Sequence, residues 1–453
     1  MKNKKAKKTK LLAATAFGLV SAVAGMQAAH ASGFGLREGS ADWLGNAFAG
    51  SEAKAYDAST AWTNPAGMAL LDQNQVSGNV SYIGPSAKFT GSNTNALGGN
   101  LAGTEGGNSV APAASGALFG VFVLNPNWRL GMSVTNPYGE RTSYPSDWVG
   151  RYQSLVSSIT GIDFSVALSY KVDNHLSIGG GPVVEYFHSR LTQGINSGAL
   201  AYGMAAQNPL IPPPLLGKLA QLPDGAADVH GSDVALGYNI GVLYKFDDAT
   251  RVGIDYHSRI RHNIHGTEIL DGVPSFSSPT FTTNVVTNAS TTATVPDSIA
   301  ASIYHQVTPA LALMGSVQWT HWALFNSLHI TPGAGGQAMT INENWRNTWF
   351  AGIGANYQAT DRLMLQTGFS FDESPVTNSN RTSRVPDANH FNLGVGVQYK
   401  VLPSTTLQLA YLHVFTPGGS INNTASTGLA TGTQVGTYDA SDNSVTAGVN
   451  VVF

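Results

Sequence analysis

Residues 250–266, TRVGIDYHSRIRHNIHG, alternate between apolar and polar side chains, and this alternation is the pattern that decides the fold. Successive side chains of a β-strand point to opposite faces, so the stretch predicts one strand with two different faces. The apolar face holds Val252, Ile254, Tyr256, Ile260 and Ile264. The polar face holds Asp255, His257, Arg259, Arg261, Asn263 and His265. A soluble sandwich would bury the apolar face in its core, whereas a membrane barrel would turn it toward lipid.

Loop lengths along the rest of the chain separate these two alternatives. We expect fourteen strands, at 75–84, 114–124, 128–135, 160–171, 175–190, 232–246, 250–266, 292–306, 309–326, 343–358, 361–373, 389–400, 404–415 and 443–453. Short connections with turn residues, such as Asn125-Pro126-Asn127 and Asp247-Asp248, alternate with long ones, such as 191–231 and 416–442. Short periplasmic turns, long outer loops and an even strand number are typical of outer-membrane barrels. The sequence therefore predicts an all-β fold, a 14-stranded antiparallel transmembrane β-barrel over residues 75–453.

Aromatic residues near the strand ends agree with this prediction. The chain ends on Phe453, which shares one face of the last strand with Val445, Ala447, Val449 and Val451. We assign Trp319, Trp322, Trp345, Trp349 and Tyr411 to the aromatic girdles at the two membrane interfaces.

Composition and the N-terminus indicate where the protein resides. Charged residues make up 11% of the 453 residues, against about 25% in soluble proteins, and the chain has no cysteine. Six lysines precede an apolar run at 11–25 and a cleavage site at Ala29-His30-Ala31, the order of a secretory signal peptide over residues 1–31. Removing six of the 24 basic residues leaves 18 against 27 acidic ones, a net charge of −9. We expect export to the outer membrane of a Gram-negative bacterium and no binding to nucleic acid.

Residues 32–74 do not alternate and contain six glycines and short apolar patches. About 40 residues bury too little surface to fold alone, so this segment must pack against another part of the protein. A barrel of fourteen strands has a lumen that its own side chains cannot fill. The sequence predicts that residues 32–74 form a small hatch, or plug, inside the barrel.

Three groups of short motifs extend over the mature chain. They are Ser32-Gly33-Phe34-Gly35-Leu36, Leu44-Gly45-Asn46-Ala47, Asp57-Ala58 and Asn64-Pro65-Ala66 near the start, Asp147-Trp148-Val149-Gly150-Arg151-Tyr152 in the second long loop, and Phe371-Asp372-Glu373-Ser374-Pro375-Val376, Asn380-Arg381 and Val385-Pro386-Asp387 near strands eleven and twelve. Together they resemble the FadL family of outer-membrane transporters of long-chain fatty acids and other hydrophobic compounds. The fold that this resemblance implies is the hatch-plugged barrel with fourteen strands.

The resemblance also implies a transport route and the residues that gate it. The ligand would be captured between the outer loops, pass to a pocket inside the barrel, and leave laterally through a gap at an inward kink of the third strand, around 128–135. Asn64 and Pro65 of the hatch and the lumenal Asp372 match the family's gating residues, and we expect Asn64 and Asp372 to serve one latch contact. A basic residue that the family offers to the ligand head group falls at Ile341 here, which favours a neutral ligand.

The long loop 191–231 is unusually apolar for an outer loop, and exposed apolar patches generally mark binding surfaces. Its candidate ligand-binding residues are Leu210, Ile211, Leu215, Leu216 and Leu219. The alternative is a loop that folds inward and caps its own barrel. Arg151 is a candidate partner for a ligand carboxylate, because guanidinium binds carboxylates bidentately. Arg259 and Arg261 are also candidates, although pairing with lumenal acids explains them better.

Motifs for catalysis are missing from the sequence. It has no nucleophile elbow, zinc-binding helix, phosphate loop or dinucleotide fingerprint, so we expect no enzyme activity, no cofactor and no metal. Three alternatives to fatty-acid uptake stay open: transport of aromatic or alkane hydrocarbons, an outer-membrane phospholipase or esterase, and a general diffusion porin. The expected partners are the hydrophobic ligand, outer-membrane lipid and lipopolysaccharide, and the barrel-assembly machinery, with the protein as a monomer.

Overall fold

The computed structural model of the protein describes residues 32–95, 99–207, 210–278, 280–427 and 430–453. The segment 1–31, which the sequence assigns to a signal peptide, lies outside the described residues. No helix in the described part of the chain is long and apolar enough to cross a membrane.

Antiparallel strands form one closed barrel. They are β1 (Gln75–Asn93), β2 (Ala113–Val123), β3 (Trp128–Ser143), β4 (Val156–Lys171), β5 (Leu176–Ile195), β6 (Gly225–Lys245), β7 (Thr250–His257), β8 (Ile260–Pro274), β9 (Thr282–Val295), β10 (Ser298–Gln306), β11 (Leu311–Thr320), β12 (Ser327–Pro332), β13 (Met339–Asn342), β14 (Thr348–Gln358), β15 (Leu363–Asp372), β16 (His390–Leu402), β17 (Thr405–Thr427) and β18 (Ala430–Val452). The first strand pairs with the last from Gln75↔Val452 onward, which closes the sheet. Four of the membrane crossings are each divided into two consecutive strands, β7–β8, β9–β10, β11–β12 and β13–β14, so the eighteen strands make fourteen crossings, which we call spans. The 14-stranded barrel predicted from the sequence is therefore confirmed.

Several strands extend further outward than the sequence predicts. The expected long loop 416–442 is mostly a hairpin, because β17 and β18 stay paired from Thr405↔Val451 to Thr427↔Ala430. Loop 191–231 instead contains two helices, α4 (Ser197–Ala206) and α5 (Pro213–Leu219). Polar sequences that alternate only weakly can continue a ladder once a neighbouring strand fixes their register.

The alternation in residues 250–266 is interrupted at Ser258-Arg259, and this corrects the assignment of its faces. Ile254 in β7 is 44% exposed on the outer surface, whereas Ile260 and Ile264 in β8 are buried in the lumen. A slip of one residue between β7 and β8 exchanges the two faces, because the side-chain period of a strand is two. The predicted lumenal position of Arg259 and Arg261 is wrong: both point outward, and Arg259 pairs with Asp297 at 3.3 Å.

The hatch occupies the lumen as short helical pieces. These are α1 (Ala41–Leu44), α2 (Ser51–Lys54), α3 (Thr60–Thr63) and a 3₁₀ turn at Pro65–Leu70. Lys54 Nζ and Asp42 Oδ2 form a buried ion pair at 2.9 Å inside the hatch. The barrel wall contributes Gln366 and Gln398, whose side-chain amides donate to Asp42 Oδ1 at 3.1 and 2.7 Å. Since each hatch helix is too short to be stable alone, these contacts with the wall hold the segment in place.

Candidate functional site

A polar vestibule leads into the barrel from the outer loops. Its volume is about 300 Å³, and its lining is almost entirely uncharged, with amides and hydroxyls of the loops such as Asn342, Asn380 and Asn423. Arg384 and Ile341 line both this vestibule and the cavity below it. The vestibule is therefore the aqueous approach to whatever site lies beneath Arg384.

Beneath the vestibule lie two small adjoining cavities of about 40 and 20 Å³, which we call the outer pocket. Side chains of β3, β4, β5, β6, β8, β9, β12 and β13 line them, together with Phe325, Arg384 and Val385. Glu140 and Glu343 place two buried carboxyl groups in the same cavity as Arg384. The apolar members are Ile159, Phe187, Leu191, Val229, Ile264, Ala289, Ala293, Phe325, Leu328, Ile330, Ile341 and Val385. Such a lining suits an alkyl chain or a small hydrocarbon, because the walls are apolar and the polar groups are few.

Arg384 supplies the positive charge of the outer pocket. Its side chain is buried and donates to Ser157 Oγ at 3.3 Å and to Gln193 Oε1 at 2.6 Å. It forms no ion pair within 4.0 Å with any carboxylate of the described residues. Burial lowers the pKa of Arg384 to about 10, against the opposing charge of Glu343. The guanidinium stays protonated at neutral pH, so its charge is available to a ligand.

Glu343 lies at the same end of the pocket. Burial raises the pKa of Glu343 to about 7, although Arg384 and a hydrogen bond from Trp345 lower it. The Trp345 indole N–H donates to Glu343 Oε2 at 3.2 Å. Glu343 therefore titrates close to neutral pH, and only its ionised form attracts the Arg384 guanidinium.

A cluster of aromatic rings, the aromatic partition, closes the inner end of the outer pocket. Its centre is Phe34 of the hatch, whose ring lies 4.8 Å from Trp322, 5.1 Å from Phe325 and 5.5 Å from Trp345 between centroids. The remaining members are Tyr138 and Phe187. The girdle positions predicted for Trp322 and Trp345 are wrong, since both rings are buried in the lumen, whereas Trp349 and Tyr411 are exposed on the outer surface.

A larger cavity of about 180 Å³, the inner cavity, lies between the hatch and the barrel wall on the other side of the partition. Trp43, Phe48 and Phe350 line it, and so do four carboxyl groups: Glu52, Asp163, Glu185 and Asp255. Asp163 Oδ1 and Glu185 Oε2 are buried there without a hydrogen-bond partner among the described residues. Arg37 and His257 line the cavity as well, but each already contacts a carboxylate, Asp372 at 3.0 Å and Asp255 at 2.8 Å. The remaining carboxyl groups therefore make this cavity unfavourable for a further, ionised carboxylate.

The three predicted gating residues do not line the inner cavity themselves; they lie in two separate places, and Asp372 and Asn64 each contact a residue that does, Arg37 and Glu52. Asp372 accepts a charge-assisted hydrogen bond from Arg37 Nε of the hatch at 3.0 Å. Asn64 donates to the carbonyls of Glu52 at 2.8 Å and Val242 at 3.1 Å, and its own side-chain carbonyl accepts from Ala66 N–H. Pro65 begins the 3₁₀ turn that follows. The single contact expected between Asn64 and Asp372 is wrong, because each of the two residues fastens a different part of the hatch.

The third strand bends one position beyond the range expected for its kink. Its pairing with β2 ends at Leu118↔Val134, and its register with β4 shifts between Thr135 and Tyr138, at Asn136-Pro137. Beyond this point the hatch, in place of β2, forms backbone hydrogen bonds with the edge of β3. Leu36 N–H donates to Pro137 O at 2.8 Å and Gly139 N–H donates to Phe34 O at 2.9 Å. The segment carrying Phe34 therefore lies along the kinked edge of β3.

The candidates in the long outer loop lie apart from these cavities. Leu219 is buried in a small core between α4 and α5, against which Ile211, Leu215 and Leu216 are partly buried, and Leu210 is 87% exposed. None of the five lines the vestibule, the outer pocket or the inner cavity. Arg151, which lies in the loop between β3 and β4, pairs with Asp224 of loop 191–231 at 3.0 Å. The two helices thus form a compact unit at the outer end of the barrel, and their part in ligand capture stays a prediction.

No catalytic or metal-binding arrangement accompanies these cavities in the part of the chain that the structure describes. The described residues include no cluster of three or more histidine or acidic side chains placed to hold a metal ion. Ser327 Oγ lies 3.0 Å from His329 Nε2, but the other ring nitrogen contacts the Thr340 hydroxyl at 3.1 Å. A hydrolase would need an acid or amide to orient that ring.

Sequence reasoning missed Arg384 and the role of Phe34. Arg384 immediately precedes the Val385-Pro386-Asp387 motif, but a lone arginine in a loop carries no sign that it is buried without a carboxylate partner. Phe34 belongs to the first motif, where it contributes only to the resemblance. Both residues acquire their roles from groups that are distant in sequence.

These features together define a plugged outer-membrane β-barrel with an outer pocket and an inner cavity in series. The family described as outer membrane protein transport protein (OMPP1/FadL/TodX) matches residues 21–453, and the chain belongs to this family. The protein is accordingly placed in the bacterial outer membrane.

Individual relatives agree with this assignment. The chain is 30% identical to the putative outer membrane protein NMB0088 of Neisseria meningitidis serogroup B over 460 residues, 96% of this chain and 94% of that protein. It is 26% identical to the long-chain fatty acid transport protein of Shigella flexneri over 420 residues, 89% and 92% of the two chains. The crystal structure of a FadL homologue from Pseudomonas aeruginosa has the same fold, with a TM-score of 0.84 at 23% identity over 93% of this chain and 99% of that one.

Proposed function

We propose that the protein takes up long-chain fatty acids or other hydrophobic small molecules across the outer membrane. The observation that carries the proposal is the outer pocket, an apolar site whose one cation among the described residues, Arg384, is buried without a carboxylate partner. An amphiphile with an acidic head would place its head at Arg384 and its chain among the apolar residues beneath. Ile341, where the family has a basic residue, lies in the same pocket, so Arg384 supplies a charge from another loop.

Transport would then proceed through the aromatic partition. A ligand that fills the outer pocket competes with Phe34 for the same apolar surroundings, and displacing Phe34 joins the outer pocket to the inner cavity. The carbonyl of Phe34 also holds the kinked edge of β3, so its displacement would loosen that edge at the same time. Pro137 and Tyr138 line the inner cavity, and the gap between β2 and β3 is beside them. We propose this gap as a lateral exit to the membrane.

Neutral hydrophobic compounds, including aromatic or alkane hydrocarbons, are a second candidate class. The inner cavity favours them, because its four carboxyl groups disfavour an ionised carboxylate. A fatty acid would pass this point in its protonated form, whereas a hydrocarbon needs no change of charge.

The test compares a fatty acid with the alcohol of the same chain length in binding to the purified barrel. Arg384→Gln should weaken binding of oleate by about tenfold or more, because a charge-assisted hydrogen bond contributes about 1.5–3 kcal/mol, and should leave oleyl alcohol almost unchanged. Arg151→Gln is the matched control, since its guanidinium pairs with Asp224 outside the pocket. Equal binding of oleate by the wild type and Arg384→Gln would refute the head-group site. Cells in which this protein is the only route for fatty acids across the outer membrane should take up oleate, and absence of that uptake would refute transport.

A further inference from the structure

The barrel wall contains a second seam without continuous backbone pairing, between β6 and the β7–β8 span. Pairing from the periplasmic side ends at Asn239↔His257, and it resumes only at Ser232↔His265. Between these two pairs, residues 233–238 of β6 face 258–264 outside any ladder, and a single backbone bond, from Ser258 N–H to Tyr238 O, remains at the inner end. On its other edge β6 stays paired with β5 throughout this stretch.

This seam lies at the level of the lipid. Val234, Leu236 and Tyr238 point outward from it and are 62%, 73% and 48% exposed, and all three are apolar or aromatic. Unpaired backbone is not tolerated against hydrocarbon, and it occurs at membrane depth only where it is covered by protein or lines a cavity. The unpaired backbone of the seam must therefore be covered by protein, or line a cavity, on its inner side.

The inner cavity lies on that side. Ser258, Ile260 and Pro296 line it, as do Pro137 and Tyr138 at the kink of β3. The two interruptions are also at matching heights, because Thr135 and His257 are each the eighth residue of a strand that starts at a periplasmic turn. The same cavity also borders a third interruption, between the β9–β10 and β11–β12 spans, where pairing ends at Ser298↔Thr320 and resumes at Ser290↔Thr331, but there the buried ring of Trp322 covers the inner side.

Side chains cover the second seam in place of a backbone ladder. Tyr238 N–H donates to Ser258 Oγ at 2.9 Å, and Asn263 N–H donates to Asp233 Oδ2 at 3.1 Å. The side chain of Ile260 lies over Gly237, with Cγ1 and Cδ1 each 2.6 Å from where a Cβ of residue 237 would be. A side chain at 237 would displace Ile260, so the glycine provides the space that Ile260 fills.

His262 fastens the outer end of the seam. Its fully buried ring contacts Glu185 Oε1 at 2.7 Å and Asp233 Oδ2 at 3.2 Å, and so joins β5, β6 and β8. The ring of Phe187, a member of the aromatic partition, stacks on it at 4.9 Å. A rearrangement of the aromatic partition that moves Phe187 would therefore change the packing of the His262 ring directly.

We propose that the β6–β8 seam is a second lateral opening, through which hydrophobic compounds pass between the inner cavity and the outer membrane. Ile260 is its closing side chain and His262 its fastening. It differs from the β2–β3 gap because the hatch backbone pairs with β3, whereas side chains of the barrel itself cover the second seam. The proposal rests on the proposed function for what passes through it, but the opening itself can be tested without any transported ligand.

The first experiment measures whether the seam opens to lipid. The chain has no cysteine, so Ile260→Cys and Val183→Cys each introduce a single thiol. Both residues are buried and line the inner cavity, at 5% and 2% exposed, but Val183 is paired on both edges of its strand, with Ser165 of β4 and Gly237 of β6. In lipid vesicles, N-dodecylmaleimide should label the thiol at position 260 about tenfold faster than the thiol at position 183, since buried groups react through local opening. Equal rates would overturn the proposal.

A second variant tests the fastening. Adding His262→Ala should accelerate the labelling at position 260 further and leave the labelling at position 183 unchanged. If both thiols become faster, the substitution has loosened the whole lumen and His262 is not a specific fastening. Heat-modifiability of each variant on gels checks that the barrel is folded.

The last experiment closes the seam covalently. A Cβ on Gly237 would lie 2.9 Å from Ser258 Oγ, so Gly237→Cys with Ser258→Cys suits a disulfide, whose Cβ atoms are about 3.8 Å apart. Oxidation of this pair should cause a partial loss of ligand release, restored by dithiothreitol. Release that oxidation leaves unchanged would overturn the opening. If the wild type transports nothing while the labelling results hold, the proposed function fails and the second opening stands.

Discussion

The inner and outer halves of the lumen differ in how they are filled. Toward the periplasm, the hatch is fastened by charges and amides, as in the contacts of Lys54, Gln366 and Gln398 with Asp42. Toward the outside, a cluster of apolar and aromatic side chains centred on Phe34 fills the space. Directional contacts to a buried charge fix one arrangement, because breaking them leaves that charge without a partner. Apolar packing is not directional, so a hydrophobic ligand can replace it at little cost.

The largest effect should follow from removing the hatch cation. Lys54→Met leaves the buried Asp42 carboxylate without its ion-pair partner, which costs about 3–5 kcal/mol. We expect the hatch to leave the lumen and the barrel to conduct ions in a planar bilayer. The exposed Lys88 provides the control variant Lys88→Met, which should stay closed. Identical currents from the two variants would show that the ion pair does not hold the hatch.

Removing the centre of the aromatic partition should have the next largest effect. Phe34→Ala deletes a fully buried ring, a change that costs about 3–5 kcal/mol in protein cores. Because the outer pocket and the inner cavity would then be joined, a bound fluorescent fatty acid should leave the outer pocket much faster, while the hatch keeps its polar contacts. Stopped-flow release gives the rate, and Phe415→Ala on the outer surface is the matched control. A rate equal to that of the control would contradict the partition.

The two gating residues should act independently. Asn64→Ala and Asp372→Ala each remove hydrogen bonds to different partners, worth about 1–3 kcal/mol apiece. Losses at separate sites without shared partners add, so the double variant should lose transport by the product of the two single factors. Uptake by all three variants, normalised to folded barrel, measures this. A double variant no worse than either single one would indicate one shared latch, against the separation of their contacts.

The smallest effect should be a pH dependence of ligand affinity. The pKa of Glu343 is raised to about 7, so its carboxyl is neutral below pH 7 and becomes an anion above it. The anion competes with an acidic ligand for Arg384, so affinity should fall as pH rises from about 6 to about 8. We expect about a threefold change, corresponding to roughly half a pKa unit of coupling. Dodecyl sulfonate is the suitable probe, because it stays ionised throughout. Glu343→Gln should bind it equally at both pH values, and a persisting slope would implicate another group.

The sequence alone determined the architecture. Alternating side chains, turn residues at short connections and the contrast of short and long loops are local properties, and they identify fourteen strands without knowledge of any neighbour. The non-alternating segment 32–74 could likewise be identified as a hatch, because it is too small to fold alone and the lumen of a barrel this wide is available to hold it.

Only the tertiary structure decided which face of a strand is lumenal after an interruption, and what each charged group meets. The slip at Ser258-Arg259 exchanges the faces of β8, and its position depends on the register of β6 and β9, which are distant in sequence. Trp322 and Trp345 are of the residue type that forms membrane girdles, but their rings lie beside Phe34. Each tryptophan lies where its span is interrupted and the chain leaves the barrel wall. Arg384 became a site residue because no carboxylate of the described chain reaches it. Pairing between distant segments determines each of these outcomes, and no local pattern encodes it.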